Sequence, residues 1–200
     1  MRKISVVLCV ILVVSGFFLA GCAGSSKYMR LAQERSDQYR PDEDQSLIVF
    51  MRPSGLGYAI DSAVFDITDS ENKVIGIVSA KKKVLYKTNP GKHMFMVTGE
   101  SGDFMRADLE SGKIYYALVT PRLGVWKARF SLRPVSKSQL SSEEFKEWFS
   151  SCELVESTPD TQAWAKDNAR SIQSKRVEYI EKWNAKPDSE KPYLGPQDGQ

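Results

Sequence analysis

The stretch "LIVFMRPSG", residues 47–55, sets the architecture of this chain. Five apolar residues in succession read as a β-strand covered on both faces. Arg52-Pro53-Ser54-Gly55 then stops it. Downstream, Ala63, Phe65 and Ile67 alternate with polar or oppositely directed neighbours, and Asp69-Ser70-Glu71-Asn72 reads as a turn. Residues 74–78 and 84–86 are short β-prone runs. Asn89-Pro90-Gly91-Lys92 is a strong turn signal, and Glu110-Ser111-Gly112-Lys113 leads as a hairpin turn into Ile114 and Tyr115. The cleanest alternation comes last. Trp126, Ala128, Phe130 and Leu132 share one face, and Lys127, Arg129, Ser131 and Arg133 the other. That is a half-exposed antiparallel strand. Short strands and frequent turns over residues 46–135 predict a mainly β fold, a small antiparallel β-sandwich.

Beyond Val135 the pattern becomes helical. Ser141 with Glu144 fits a capping box that opens a helix through about Ser151. Thr158 followed by Pro159 opens a second helix that runs to about Ala185, roughly 40 Å. Residues 136–185 are therefore a helical extension with two C-terminal α-helices. Ile172, Tyr179, Ile180 and Trp183 line one face of the second, which is read as a face for a partner. Residues 186–200, with three prolines and two glycines, read as a disordered tail.

The chain opens differently. Arg2 and Lys3 precede an almost wholly apolar run over residues 4–20. That is a secretory signal pattern over residues 1–21. It ends in Leu19-Ala20-Gly21-Cys22, which resembles the lipobox of bacterial lipoproteins. The resemblance implies cleavage before Cys22, lipid attachment on its thiol and acylation of the new amino terminus. Ala23 follows, where Asp would hold an enteric lipoprotein in the inner membrane, so the resemblance favours the outer membrane. Residues 22–45, polar and interrupted by Pro41, read as a lipidated tether that would lift a domain by up to roughly 80 Å.

Loss of residues 1–21 takes Arg2 and Lys3 and no acid, so the net charge falls from +3 to +1. The basic balance leans on the discarded segment, which removes the main support for a nucleic-acid partner. Of three cysteines, Cys9 leaves with the signal and Cys22 carries lipid. Cys152 alone cannot form an intramolecular disulfide.

The β segment also resembles a family of bacterial domains often found in lipoproteins, the domain of unknown function 2846, and PEGA-type surface β-sandwiches. The residues that carry this are Val49-Phe50-Met51-Arg52-Pro53, Asn89-Pro90-Gly91-Lys92-His93 and Leu109-Glu110-Ser111-Gly112-Lys113-Ile114-Tyr115-Tyr116. The resemblance implies a fold and brings no catalytic residues, cofactor or metal ligands.

His93 is the only histidine, too few for a multi-histidine zinc site. Its bland reading is a packed or hydrogen-bonded side chain at the start of a strand. Cys152 reads as a small semi-buried residue, and Lys81-Lys82-Lys83 as a solvated loop that blunts a sheet edge. The expectation is a lipid-anchored periplasmic module that binds an envelope protein or cell-wall component without catalysis. The alternatives are an envelope enzyme using His93 or Cys152, and a structural lipoprotein that oligomerises through its C-terminal helix.

Overall fold

In the computed structural model, residues 27–122 and 129–200 are described. The run at 47–51 lies inside β2 (Ser46–Arg52), every residue of which is buried. Alternate side chains explain the unbroken apolar pattern. Ile48 and Phe50 enter the main core between two sheets. Val49 and Met51 enter a second core on the opposite face, with Tyr116, Val135, Phe145 and Cys152. A strand sandwiched between two apolar layers needs both faces hydrophobic.

Five further strands join β2. They are β1 (Met29–Leu31), β5 (Lys82–Thr88), β8 (Ile114–Arg122), β9 (Arg129–Pro134) and β10 (Glu153–Ser157), in the order β1-β10-β5-β2-β8-β9. The second sheet contains β3 (Ala63–Asp66), β4 (Lys73–Ile77), β6 (Gly91–Thr98), β7 (Gly102–Leu109) and β11 (Tyr193–Leu194), in the order β11-β7-β6-β3-β4. The fold is mainly β, a sandwich of two mixed sheets. Parallel pairing joins β2 to β8, β5 to β10 and β7 to β11, and the other pairings are antiparallel. The parallel pairs arise where the chain comes back to a sheet after building elsewhere. β8 returns to β2 after the second sheet's central strands, and β10 and β11 arrive from the C-terminal third.

Arg52 closes β2 from inside. Its buried guanidinium donates to the carbonyls of Leu56, Gly57 and Ile60 and lies over the Phe130 ring at 4.6 Å. It thereby organises the loop that follows the strand.

Three helices follow, α1 (Glu143–Ser150), α2 (Pro159–Asp167) and α3 (Ala169–Asn184). Ser142 caps α1 by accepting from the Phe145 amide, one residue later than the Ser141 reading. The single long helix expected from Pro159 is broken at Asn168, whose Nδ2 donates to the Trp164 carbonyl. Such side-chain bonding competes with the helical ladder. The break lets Trp164 meet Tyr28 and Phe65 while α3 takes its own course across β7.

Three expectations are corrected. First, the face of Ile172, Tyr179, Ile180 and Trp183 is not left for a partner. Ile172 and Trp183 are buried in the main core, and Tyr179 and Ile180 are half-buried against it. The helix packs directly on β7 there, with the Tyr179 Cβ 3.4 Å from where a Cβ on Gly102 would stand, an ordinary van der Waals contact. Second, residues 186–200 are ordered. Tyr193 and Leu194 extend β7 as β11, Leu194 is fully buried, and Gln200 exchanges two backbone hydrogen bonds with Ile114. Open strand edges supplied the partners that composition cannot show. Third, residues 27–45 are not a free tether. β1 pairs with β10, and Glu34 reaches Lys83 at 2.9 Å.

Candidate functional site

Asp66 ends β3 opposite Phe95 of β6, and His93 lies two residues before Phe95 on the same face. The ring of His93 stacks on Phe95 with centroids 5.6 Å apart. Tyr86 comes from β5 in the other sheet and donates its hydroxyl to Asp66 Oδ2 at 2.9 Å. One carboxylate thus ties the two sheets together. Thr68 adds its amide and its hydroxyl on Oδ1. The group opens on a cleft of about 490 Å³, whose rim carries Asp69, Glu71, Lys73 and Lys92.

The imidazole faces acceptors on both sides. Nδ1 stands 3.2 Å from Asp66 Oδ2 and Nε2 stands 2.8 Å from the Asn89 carbonyl. Two acceptors call for two N–H donors, which is the imidazolium form. Burial alone would lower the His93 pKa, but the bonds to Asp66 and Asn89 outweigh it and the pKa rises above 6.5. For Asp66, burial would raise the pKa. Donation from His93, Thr68 and Tyr86 wins and brings the carboxyl from 3.8 to about 2. The geometry is that of a charged clamp at the Asn89-Pro90-Gly91 turn. A general base needs a free nitrogen lone pair, which this ring has only after it gives up the second of its two protons.

Cys152 is buried in the second core, 2 % exposed, and burial pushes its thiol up to about 11. A thiol in that state is neither a ready nucleophile nor a ready metal ligand. His93 and Cys152 lie in different parts of the sandwich and make no pair. Among the described residues, no group of three or more His, Cys, Asp or Glu is placed to hold a metal ion.

Lys81-Lys82-Lys83 is split by the structure. Lys81 takes a positive φ of 58° at the turn, Lys82 pairs with Glu153, and Lys83 is buried. The Lys83 ammonium donates to the Phe149 carbonyl at 3.0 Å, pairs with Glu34 and stands 3.7 Å from the centre of the Phe149 ring. A solvated loop describes only the first of the three. The roles of Lys83 and Arg52 carry no sequence signal, because each depends on partners far along the chain. Cys22 and Trp126 lie outside the described residues. Among the described residues, no helix is long and apolar enough to cross a membrane.

No family model matches the chain, and no curated protein matches it.

Proposed function

We propose that the protein is a lipid-anchored module of the bacterial cell envelope, held at the periplasmic face of the outer membrane through Cys22 and acting by binding rather than catalysis. Its partner is an envelope protein or a cell-wall component. The observation that carries this reading is Leu19-Ala20-Gly21-Cys22 behind a basic, apolar leader. The likeness of the β segment to the domain of unknown function 2846 agrees with it. So does the chemistry of the two side chains that an enzyme would use, since His93 spends both nitrogens on structural acceptors and Cys152 is a buried thiol.

The early start of the fold gives the reading a geometric consequence. Five residue steps separate Cys22 from Lys27, at which the described body begins, and five steps span at most about 18 Å. The sandwich then rides close to the headgroups instead of on a long leash. Exchange of Cys22 for Ser tests the anchor. Labelling with a fatty-acid analogue is expected to mark the native protein and not the Cys22→Ser variant, which loses its place in the membrane fraction. Equal labelling of both proteins would contradict the proposal.

A further inference from the structure

A second pocket, of about 290 Å³, lies between the start of β7, the facing ends of β8 and β9, and the last turns of α3. Its charge is one-sided. Arg122 comes from β8, Arg129 from β9, and Lys182 and Lys186 from the end of α3 and beyond. Against them stand Asp103, whose side chain is 8 % exposed, and Glu178, 2.9 Å from Lys182. Asp103 lies 3.4 Å from Arg122 and 3.9 Å from Lys186, so one buried carboxylate holds two of the cations in place. Four cations over two carboxylates leave a local net charge of +2. The bond to Glu178 raises the Lys182 pKa, and the nearby Arg129 charge only partly opposes it.

Lysines near a helix C-terminus complement the helix dipole. That accounts for Lys182 and Lys186 but not for the two arginines, which come from strands and converge on the same spot.

Ser101 and Trp183 also line the pocket, and their Oγ and Nε1 are buried with no hydrogen-bond partner among the described residues. The two residues are only 6 % and 3 % exposed. A buried donor left without an acceptor costs free energy, and native structures leave few of them. The excess of cations around the opening calls for an anionic partner.

We infer that this pocket binds a phosphate ester, its oxygens meeting the Arg122, Arg129, Lys182 and Lys186 cations. The net charge matches a phosphomonoester dianion better than a single carboxylate. Arginine forks suit the tetrahedral oxygens of phosphate, and the pocket holds little more than the group and its immediate substituent. The source is either a free phosphate ester or a phospholipid headgroup. The site does not depend on the anchor, because its residues all belong to the folded body.

Phosphorus NMR of the full mature protein in non-ionic detergent provides the test. The probes are inorganic phosphate, glycerol phosphate and a short-chain phosphatidic acid, with acetate followed by competition. Saturable binding of phosphate probes is expected, weakening as salt rises. The Arg129→Gln/Lys182→Gln double variant is expected to lose about tenfold or more in affinity, as when charge-assisted hydrogen bonds are removed. Should that variant melt early, Arg129→Gln alone gives the same reading, since its side chain is exposed. Equal affinities for glycerol phosphate and phosphatidic acid identify a free ester, and tighter phosphatidic acid binding identifies a headgroup. No saturable binding of any phosphate probe would overturn the inference. So would an affinity unchanged in the folded double variant, or acetate competing as tightly as phosphate.

Discussion

Asp66 receives hydrogen bonds from three side chains, His93, Tyr86 and Thr68, and that makes it one source of pH-dependent stability. Its folded pKa, about 2, lies below the ordinary 3.8, so its contribution is present above about pH 4 and fades as pH falls toward 2. His93 has the opposite sign. Its folded pKa is raised above 6.5, so its contribution is complete below pH 6.5 and is lost as pH climbs through the raised value. His93→Gln is therefore expected to lower the melting temperature by roughly 4–8 °C near pH 5–6, for about 2 kcal/mol of lost charge-assisted bonding. That deficit shrinks in alkaline buffer, as a pair of melting curves at each pH will show. A deficit independent of pH would mean that the imidazolium contributes nothing particular. Cys152 makes a simpler case. With its thiol at about 11 and buried, it is expected to resist a maleimide reagent at pH 7.5 and to react promptly in denaturant.

Among the elements, α3 carries the sharpest reversal of expectation. Amphipathic spacing shows that Ile172 and Trp183 need a covered face, and says nothing of what covers it. The cover is β7, with Phe104 meeting Trp183 edge-on at 6.2 Å between ring centroids. Trp183→Ala is therefore expected to destabilise the isolated protein by about 3–5 kcal/mol, the usual cost of deleting a large buried aromatic. A denaturant titration measures it, and an unchanged midpoint would return the face to a partner. The tail behaves alike. Leu194 is fully buried, so Leu194→Ala is expected to cost about 2–4 kcal/mol, far more than a disordered segment would show. These elements mark where the sequence was legible. An unbroken apolar run revealed β2, and turn residues beside β-prone runs revealed β6 and β8, since those signals are local. The strand at Glu153–Ser157 was hidden between two helices, and β1 and β11 inside polar, proline-bearing segments. Each exists because an open edge elsewhere accepts it. The clamp was half visible. His93 stands out as the sole histidine beside a turn, while its bond to Asp66 depends on the register of β3 against β6. The basic pocket was not visible, for its arginines on β8 and β9 lie far in sequence from its lysines at the end of α3.

At the scale of the molecule, the two ends of the chain do the same work. β1 covers β10 at one edge of the first sheet, and β11 covers β7 at one edge of the second. Ending each sheet in a strand of only three or two residues leaves a poor template for unwanted strand pairing. It also draws the N-terminal segment onto the body, leaving at most about 18 Å of chain between Cys22 and Lys27. Neutron reflectometry of the full mature lipoprotein on a supported bilayer measures both the anchor and the reach. Protein density is expected to begin within about 20 Å of the headgroups and to stay after washing. A solvent layer tens of ångströms deep beneath the protein, or loss of the protein on washing, would contradict a lipid-anchored body held close to the membrane.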